Sequence, residues 1–142
     1  MRYLVAIVLA CLLSLPAHAA DKAIDALDKL TGEFALYVSV PEVTPELADA
    51  LVRAHGRGVH MDVMIPSAAA GSREVHRLGD AGVRVVIFER ITEAVILYDD
   101  ALMAEGPDAR HMVVRRDRKA SDDFALGFIA QLISLVEKQE RT

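Results

Sequence analysis

Between Val83 and Gly106 the chain passes through three apolar segments, Val83–Phe88, Ala94–Tyr98 and Ala101–Ala104, parted by charged corners at Glu89-Arg90 and Asp99-Asp100. Short runs rich in Val and Ile between polar turns predict buried strands. Val83–Phe88 is apolar on both faces apart from Arg84, which predicts a sheet covered on both sides. Asp99-Asp100 has the spacing of a tight hairpin between the second and third segments. Neighbouring strand ends are a natural place for a site. Here the polar positions hold Thr92, Glu93, Asp99 and Glu105, with no His, Cys or Lys among them.

The chain before this stretch alternates between two periodicities. Ile24, Leu27 and Leu30 fall at helical spacing, and Phe34–Val40 reads as a strand. Thr44 is then a ready N-cap, with Pro45 at the first helical position and Glu46 near the positive helix end. Leu47, Leu51 and Ala54 give that helix an inward stripe, and Gly56 or Gly58 stops it. Val59–Ile65 alternates as a second strand, closed by Pro66. Ser67–Asp80 predicts a helix whose start Gly71-Ser72 can reset, and Gly82 ends it. After the triple segment, Arg110–Arg115 predicts a last strand. Ser121 is the expected cap of a final helix whose Phe124, Leu126, Phe128, Ile129, Leu132, Ile133, Leu135 and Val136 spread over more than one stripe. Such a helix needs cover on two sides, one from the sheet and one from a second subunit. The order strand–helix–strand–helix–strand predicts parallel neighbours with right-handed crossovers. The fold class expected is α/β, a mixed, mostly parallel sheet with helices on both faces.

Residues 1–20 stand apart from this pattern. Arg2, the apolar run Leu4–Leu15, Pro16 and Ala17-His18-Ala19 have the order of a secretory signal. The run is too short for a bilayer span, which takes about 20 apolar residues. Val8-Leu9-Ala10 before Cys11 also permits a lipid anchor on that cysteine. The expected division is therefore a cleaved segment over 1–20 and one domain over 21–142, in an exported protein of the periplasm or medium. Without residues 1–20, 15 basic residues face 21 acidic ones, a formal net charge of −6. That balance argues against unspecific binding to nucleic acid or anionic phospholipid, which basic surface drives. Cys11 is the only cysteine, so the exported domain has no disulfide and depends on packing.

Several joins resemble one family. Leu36-Tyr-Val-Ser-Val40, the helix Pro45-Glu-Leu-Ala-Asp-Ala-Leu-Val-Arg-Ala-His-Gly-Arg-Gly-Val59 and the strand after it resemble the first half of a phospholipase D-like domain. Leu78-Gly-Asp-Ala-Gly-Val83 resembles that family's next helix-to-strand join. Met112-Val-Val-Arg-Arg-Asp117 and the Phe-containing helix resemble its closing pair. The likeness runs over nearly all of residues 23–138, in a chain the size of the small single-domain secreted bacterial endonucleases of the superfamily. It implies a single phospholipase D-like domain and a homodimer.

The family's chemistry lies in a His-x-Lys-(x)4-Asp motif and a later Gly-Ser-x-Asn turn. Laid on this chain, the His position falls on Thr92, the Lys position on Ala94, the Asp position on Asp99 and the glycine on Gly106. Pro107 replaces the serine, and no asparagine follows. In the family one imidazole attacks phosphorus and its two-fold mate protonates the leaving oxygen, while Lys and Asn hold the phosphate. A threonine hydroxyl is a poor nucleophile and cannot protonate a leaving group near neutral pH. A positioned acid or base is typically worth about 10²–10⁴-fold in rate. Alanine in place of lysine removes the cation facing the phosphoryl oxygens.

Other groups offer only partial replacements. His55 and His60 flank Gly56-Arg57-Gly58, with no carboxylate or cysteine at ligand spacing for a third metal ligand, so both are expected at the surface. His76 belongs to a polar helix face. His111 opens the last strand near the expected cleft and is the remaining catalytic candidate, without an identifiable orienting partner. Arg90 and Glu93 are candidate ligand-binding residues, Arg90 as an anchor for phosphate or carboxylate; the alternative is a solvated ion pair with a neighbouring glutamate. Asp99 and Asp100 suit a turn better than an acid–base pair. The basic run from Arg110 to Lys119 lacks interleaved aromatics for base stacking and fits a guarded strand edge. The pattern calls for no metal and no cofactor.

The expectation is an exported, catalytically inactive phospholipase D-like domain acting as a binding or structural module. Its rivals are a metal-independent phosphodiesterase with a rebuilt centre, acting on nucleic acid or phospholipid, and a regulatory subunit that meets an intact paralogue as its protein partner.

Overall fold

A computed structural model describes residues 22–30, 35–98 and 101–140. Helix α1 spans residues 22–28. It is followed by β1 (Leu36–Ser39), α2 (Pro45–Gly56), β2 (Met61–Pro66), a 3-10 turn (Ser67–Ala69), α3 (Arg73–Asp80), β3 (Arg84–Phe88), β4 (Ala94–Leu97), β5 (Leu102–Gly106), β6 (Val113–Arg116) and α4 (Arg118–Glu140). The six strands form one mixed sheet in the order β3-β2-β1-β4-β5-β6. The pairs β1–β2 and β2–β3 are parallel, whereas β1–β4, β4–β5 and β5–β6 are antiparallel. The expected parallel character thus holds for the β1–β2–β3 half, where helices make the crossovers. The other half is a meander.

Helices cover both faces. On one, Leu36, Val38, Val63, Ile65, Ile96 and Ala104 pack beneath α1, α2 and α3. On the other, Met64, Val95, Leu97 and Met103 pack against Phe128, Phe124 and Ala125 of α4. The strict alternation of these sets along each strand follows from the two-residue side-chain period. α1 is tied into the first layer by Tyr98, fully buried, whose hydroxyl donates to the Ala23 carbonyl at 2.9 Å. Burial pushes that hydroxyl well above the ordinary phenol pKa. Arg53 adds a two-pronged contact from α2 to Asp28 of α1, both bonds at 3.2 Å.

The helix signals act as their chemistry dictates. Thr44 Oγ1 accepts from the Leu47 N–H at 3.2 Å, and Pro45 opens α2 where no intrahelical donor is needed. Gly58 and Gly82 carry φ of 92° and 87°, left-handed values that let the chain leave α2 and α3 for the sheet.

The sheet is covered on both faces as expected, even at its edge strand β3: Val85 packs into one layer and Val86 and Phe88 into the other, with Ile87 51 % exposed. Three expectations change. The helix expected over Ser67–Asp80 is a 3-10 turn and then α3, reset at Gly71-Ser72 as the sequence allowed, because Ser72 Oγ accepts from the Val75 N–H at 3.3 Å and starts a new helix. The last strand starts later than Arg110, at Val113. Asp117, not Ser121, caps α4: its Oδ1 accepts from the Ala120 N–H at 3.0 Å, while Ser121 is buried within the helix. The Asp99-Asp100 turn lies outside the described residues, although Tyr98 N–H donates to the Leu102 carbonyl just inside it.

Candidate functional site

The C-terminal ends of β1, β2 and β3 meet the start of β4 and the end of β5 at one edge of the sheet. Ligands in α/β sheets commonly settle beyond the carboxyl ends of parallel strands. A cleft of about 270 Å³ lies at this edge, between the sheet and the first half of α4. Ser39 and Val95, paired across β1 and β4, belong to the sheet side. Phe88, Arg90, Ile91, Thr92 and Glu93 come from the end of β3 and the connection into β4. Asp123, Phe124, Gly127, Phe128 and Gln131 come from α4.

Phe128 is the centre of the aromatic wall. Its ring centroid stands 6.4 Å from Phe124 and 6.2 Å from Tyr37. The polar groups of the cleft contrast with that wall in having no partners. Arg90, Glu93 and Asp123 line it together, yet none forms an ion pair or side-chain hydrogen bond among the described residues. The ion pair considered for Arg90 is therefore not formed. Ser39 is 9 % exposed, and among the described residues its hydroxyl has no hydrogen-bond partner and no polar side-chain atom is sealed off unpartnered, so its Oγ is accessible from the cleft that it lines.

The structure separates the positions matched to the family motif. Thr92 is exposed and lines the cleft. Ala94 is fully buried on the opposite face, in the core under α1–α3. Gly106 pairs with Ala94, and a Cβ on it would collide with the backbone carbonyl of His111. Glycine is required there by the close approach of the loop. Asp99 lies outside the described residues.

His111 does not line the cleft, but it does have the orienting partner that sequence reading could not identify. Its Nδ1 donates to Asp108 Oδ1 at 2.7 Å, and the same oxygen accepts from the Arg110 N–H at 2.9 Å. Slight burial works to raise the Asp108 pKa, but these hydrogen bonds and the His111 charge outweigh it and hold the carboxyl below its ordinary value. The His–Asp pair is geometrically suited to proton transfer, with Nε2 left for a substrate.

His55 and His60 share a second pocket, of about 270 Å³, with Asp62 and Arg84 at the other end of the parallel strands. A carboxylate is thus nearby after all, but it takes Arg84 at 3.2 Å. Among the described residues no three His, Cys, Asp or Glu side chains gather at metal-binding geometry. The basic run is partly neutralised, since Arg115 bridges Glu105 at 3.0 Å and Asp117 at 3.3 Å. Among the described residues no helix is long and apolar enough to cross a membrane.

Ser39, Asp123, Gln131 and Asp108 were not singled out by the sequence. Ser39 had a usable signal, a lone polar side chain at the end of an apolar strand. Asp123 and Gln131 had none, because only the docking of α4 brings them to the cleft.

No protein-family model matches the chain, and no curated protein matches it. Among solved structures it is similar to the crystal structure of Nuc, a phospholipase D family member from Salmonella typhimurium. The likeness has a TM-score of 0.61 at 16 % identity, over 75 % of this chain and 82 % of that one. The fold is therefore phospholipase D-like, a mixed α/β domain, as the order of joins implied. At that identity the likeness concerns architecture; chemistry depends on the side chains present.

Proposed function

We propose that this chain is an exported phospholipase D-like domain that has kept the scaffold and lost the cleavage chemistry, and that it works as a homodimeric binding module through the cleft between β1, β4 and α4. The observation that carries the reading is the make-up of that cleft. Thr92 stands where the family places its nucleophile, no His or Lys among the described residues lines the cavity, and Ala94 points into the core. A cleft holding partnerless Arg90, Glu93 and Asp123 beside three phenylalanines is equipped to hold a ligand. It lacks the nucleophile and the general acid that phosphodiester cleavage requires.

The dimer rests on α4. Leu126 (67 % exposed), Ile129 (41 %), Ile133 (53 %) and Val136 (50 %) form one outward stripe. Their steps of three, four and three residues are the spacing of a helix seam, so the cover they need is another helix. A second copy supplies it in this reading; an intact paralogue would use the same stripe. Export rests on residues 1–20, with release by cleavage preferred to a lipid anchor at Cys11.

One observation favours a second reading. The pair His111–Asp108 could serve a metal-independent phosphodiesterase with a rebuilt centre. Hydrolysis of DNA and of phosphatidylcholine in the presence of EDTA distinguishes the two. The binding module leaves both intact; turnover that disappears in His111→Ala establishes the enzyme.

A further inference from the structure

The cleft holds charges of both signs that do not satisfy one another. Arg90 offers a guanidinium fork, Glu93 and Asp123 offer carboxylates, and none has a partner among the described residues. Ser39, a residue nine-tenths buried, also lines the cleft, and its hydroxyl has no partner among the described residues. A hydroxyl so placed is free to donate to or accept from a ligand that enters the cleft. Phe88, Phe124 and Phe128 supply an apolar wall. Two carboxylates against one guanidinium disfavour a phosphodiester, whose negative charge would meet Glu93 and Asp123. A volume of about 270 Å³ accommodates a small metabolite.

We propose that the cleft binds a small zwitterion with an apolar body, in chemical terms a free α-amino acid with an aliphatic or aromatic side chain. Its carboxylate pairs with Arg90, where a planar fork matches it. Its ammonium meets Glu93 and Asp123 at the rim and is favoured beside the phenylalanine faces. Ser39 Oγ bonds the polar end that enters deepest, and the side chain lies on Phe124 and Phe128. This inference rests on the binding-module reading and specifies its ligand.

Calorimetric titration of the purified protein with L-leucine, with isopentylamine, with 4-methylpentanoate and with inorganic phosphate tests it, release of 4-nitrophenol from bis(4-nitrophenyl) phosphate being followed on the same sample. Leucine is expected to bind, and loss of either charged end to weaken binding about tenfold or more, the scale of one charge-assisted hydrogen bond. Arg90→Gln should bring leucine down to the level of isopentylamine, and Ser39→Ala should weaken every ligand that still binds. Both are mild changes, one at an exposed side chain and one removing a single oxygen, and unchanged thermal melts confirm folding. Binding of none of the four overturns the zwitterion. Binding of phosphate alone, lost in Arg90→Gln, also overturns it while leaving a binding role intact. Release of 4-nitrophenol overturns the binding-module reading itself.

Discussion

His111 Nδ1 donates to Asp108 Oδ1 at 2.7 Å, three residues away across a turn that also holds the Arg110 N–H. The pair braces the loop whose backbone lies against Gly106. Because Asp108 titrates below its ordinary value when folded, its contribution to stability is complete above the unfolded carboxylate pKa. It is lost as the pH falls through the folded pKa, where the native carboxylate finally takes a proton. Asp108→Asn keeps an acceptor for Arg110 and removes the charge. Urea melts should show the wild type more stable than this variant at pH 7, with the gap closing steadily below about pH 4. A gap independent of pH would mean that Asp108 acts only as a turn residue.

Gly106→Ala places a methyl group on the His111 carbonyl. Backbone cannot swing aside as a side chain can, so the cost should reach at least the overpacking range of about 1–3 kcal/mol. The shift in the urea midpoint at constant m-value measures it.

Restoring the family's residues should not restore its chemistry. Ala94→Lys would put an ammonium in the core beneath α1–α3, with no carboxylate of the core to meet it. Destabilisation of about 3 kcal/mol or more is expected. Thr92→His, at an exposed position, should fold normally and stay inert. Metal-independent turnover by the double variant would show that the two positions face one site.

These positions also mark how far the sequence could be read. The cap at Thr44, the stops at Gly58 and Gly82, the alternation of β2 and the apolar run of β4 are local signals, and local chemistry decides them. The edge position of β3 was not legible, since Val85 and Val86 read as buried on both sides whether or not a strand lies beyond them. Asp117 and Ser121 compete for the start of α4, and only the path of the chain out of β6 settles the matter. The cleft was half visible. Arg90, Thr92 and Glu93 are contiguous and were identified, whereas Asp123 and Ser39 join them through a contact between distant segments. The His111–Asp108 bond spans only three residues, but nothing in Asp-Ala-Arg-His distinguishes that turn from an ordinary surface loop.

The stripe on α4 predicts its own test. Ile129→Glu or Ile133→Glu replaces an exposed apolar side chain, so the fold should change in stability by no more than about 0.5 kcal/mol. Sedimentation equilibrium should nevertheless show the wild type as a dimer and either variant as a monomer. A monomeric wild type at the same concentration would remove the homodimer from the account.

The most direct check is the rate of phosphodiester hydrolysis by the purified protein in EDTA, with a Thr92→Ala and a His111→Ala variant beside it. A cleft without nucleophile or acid predicts a rate equal to the protein-free blank in all three. A wild-type rate well above that blank, abolished in either variant, would contradict it.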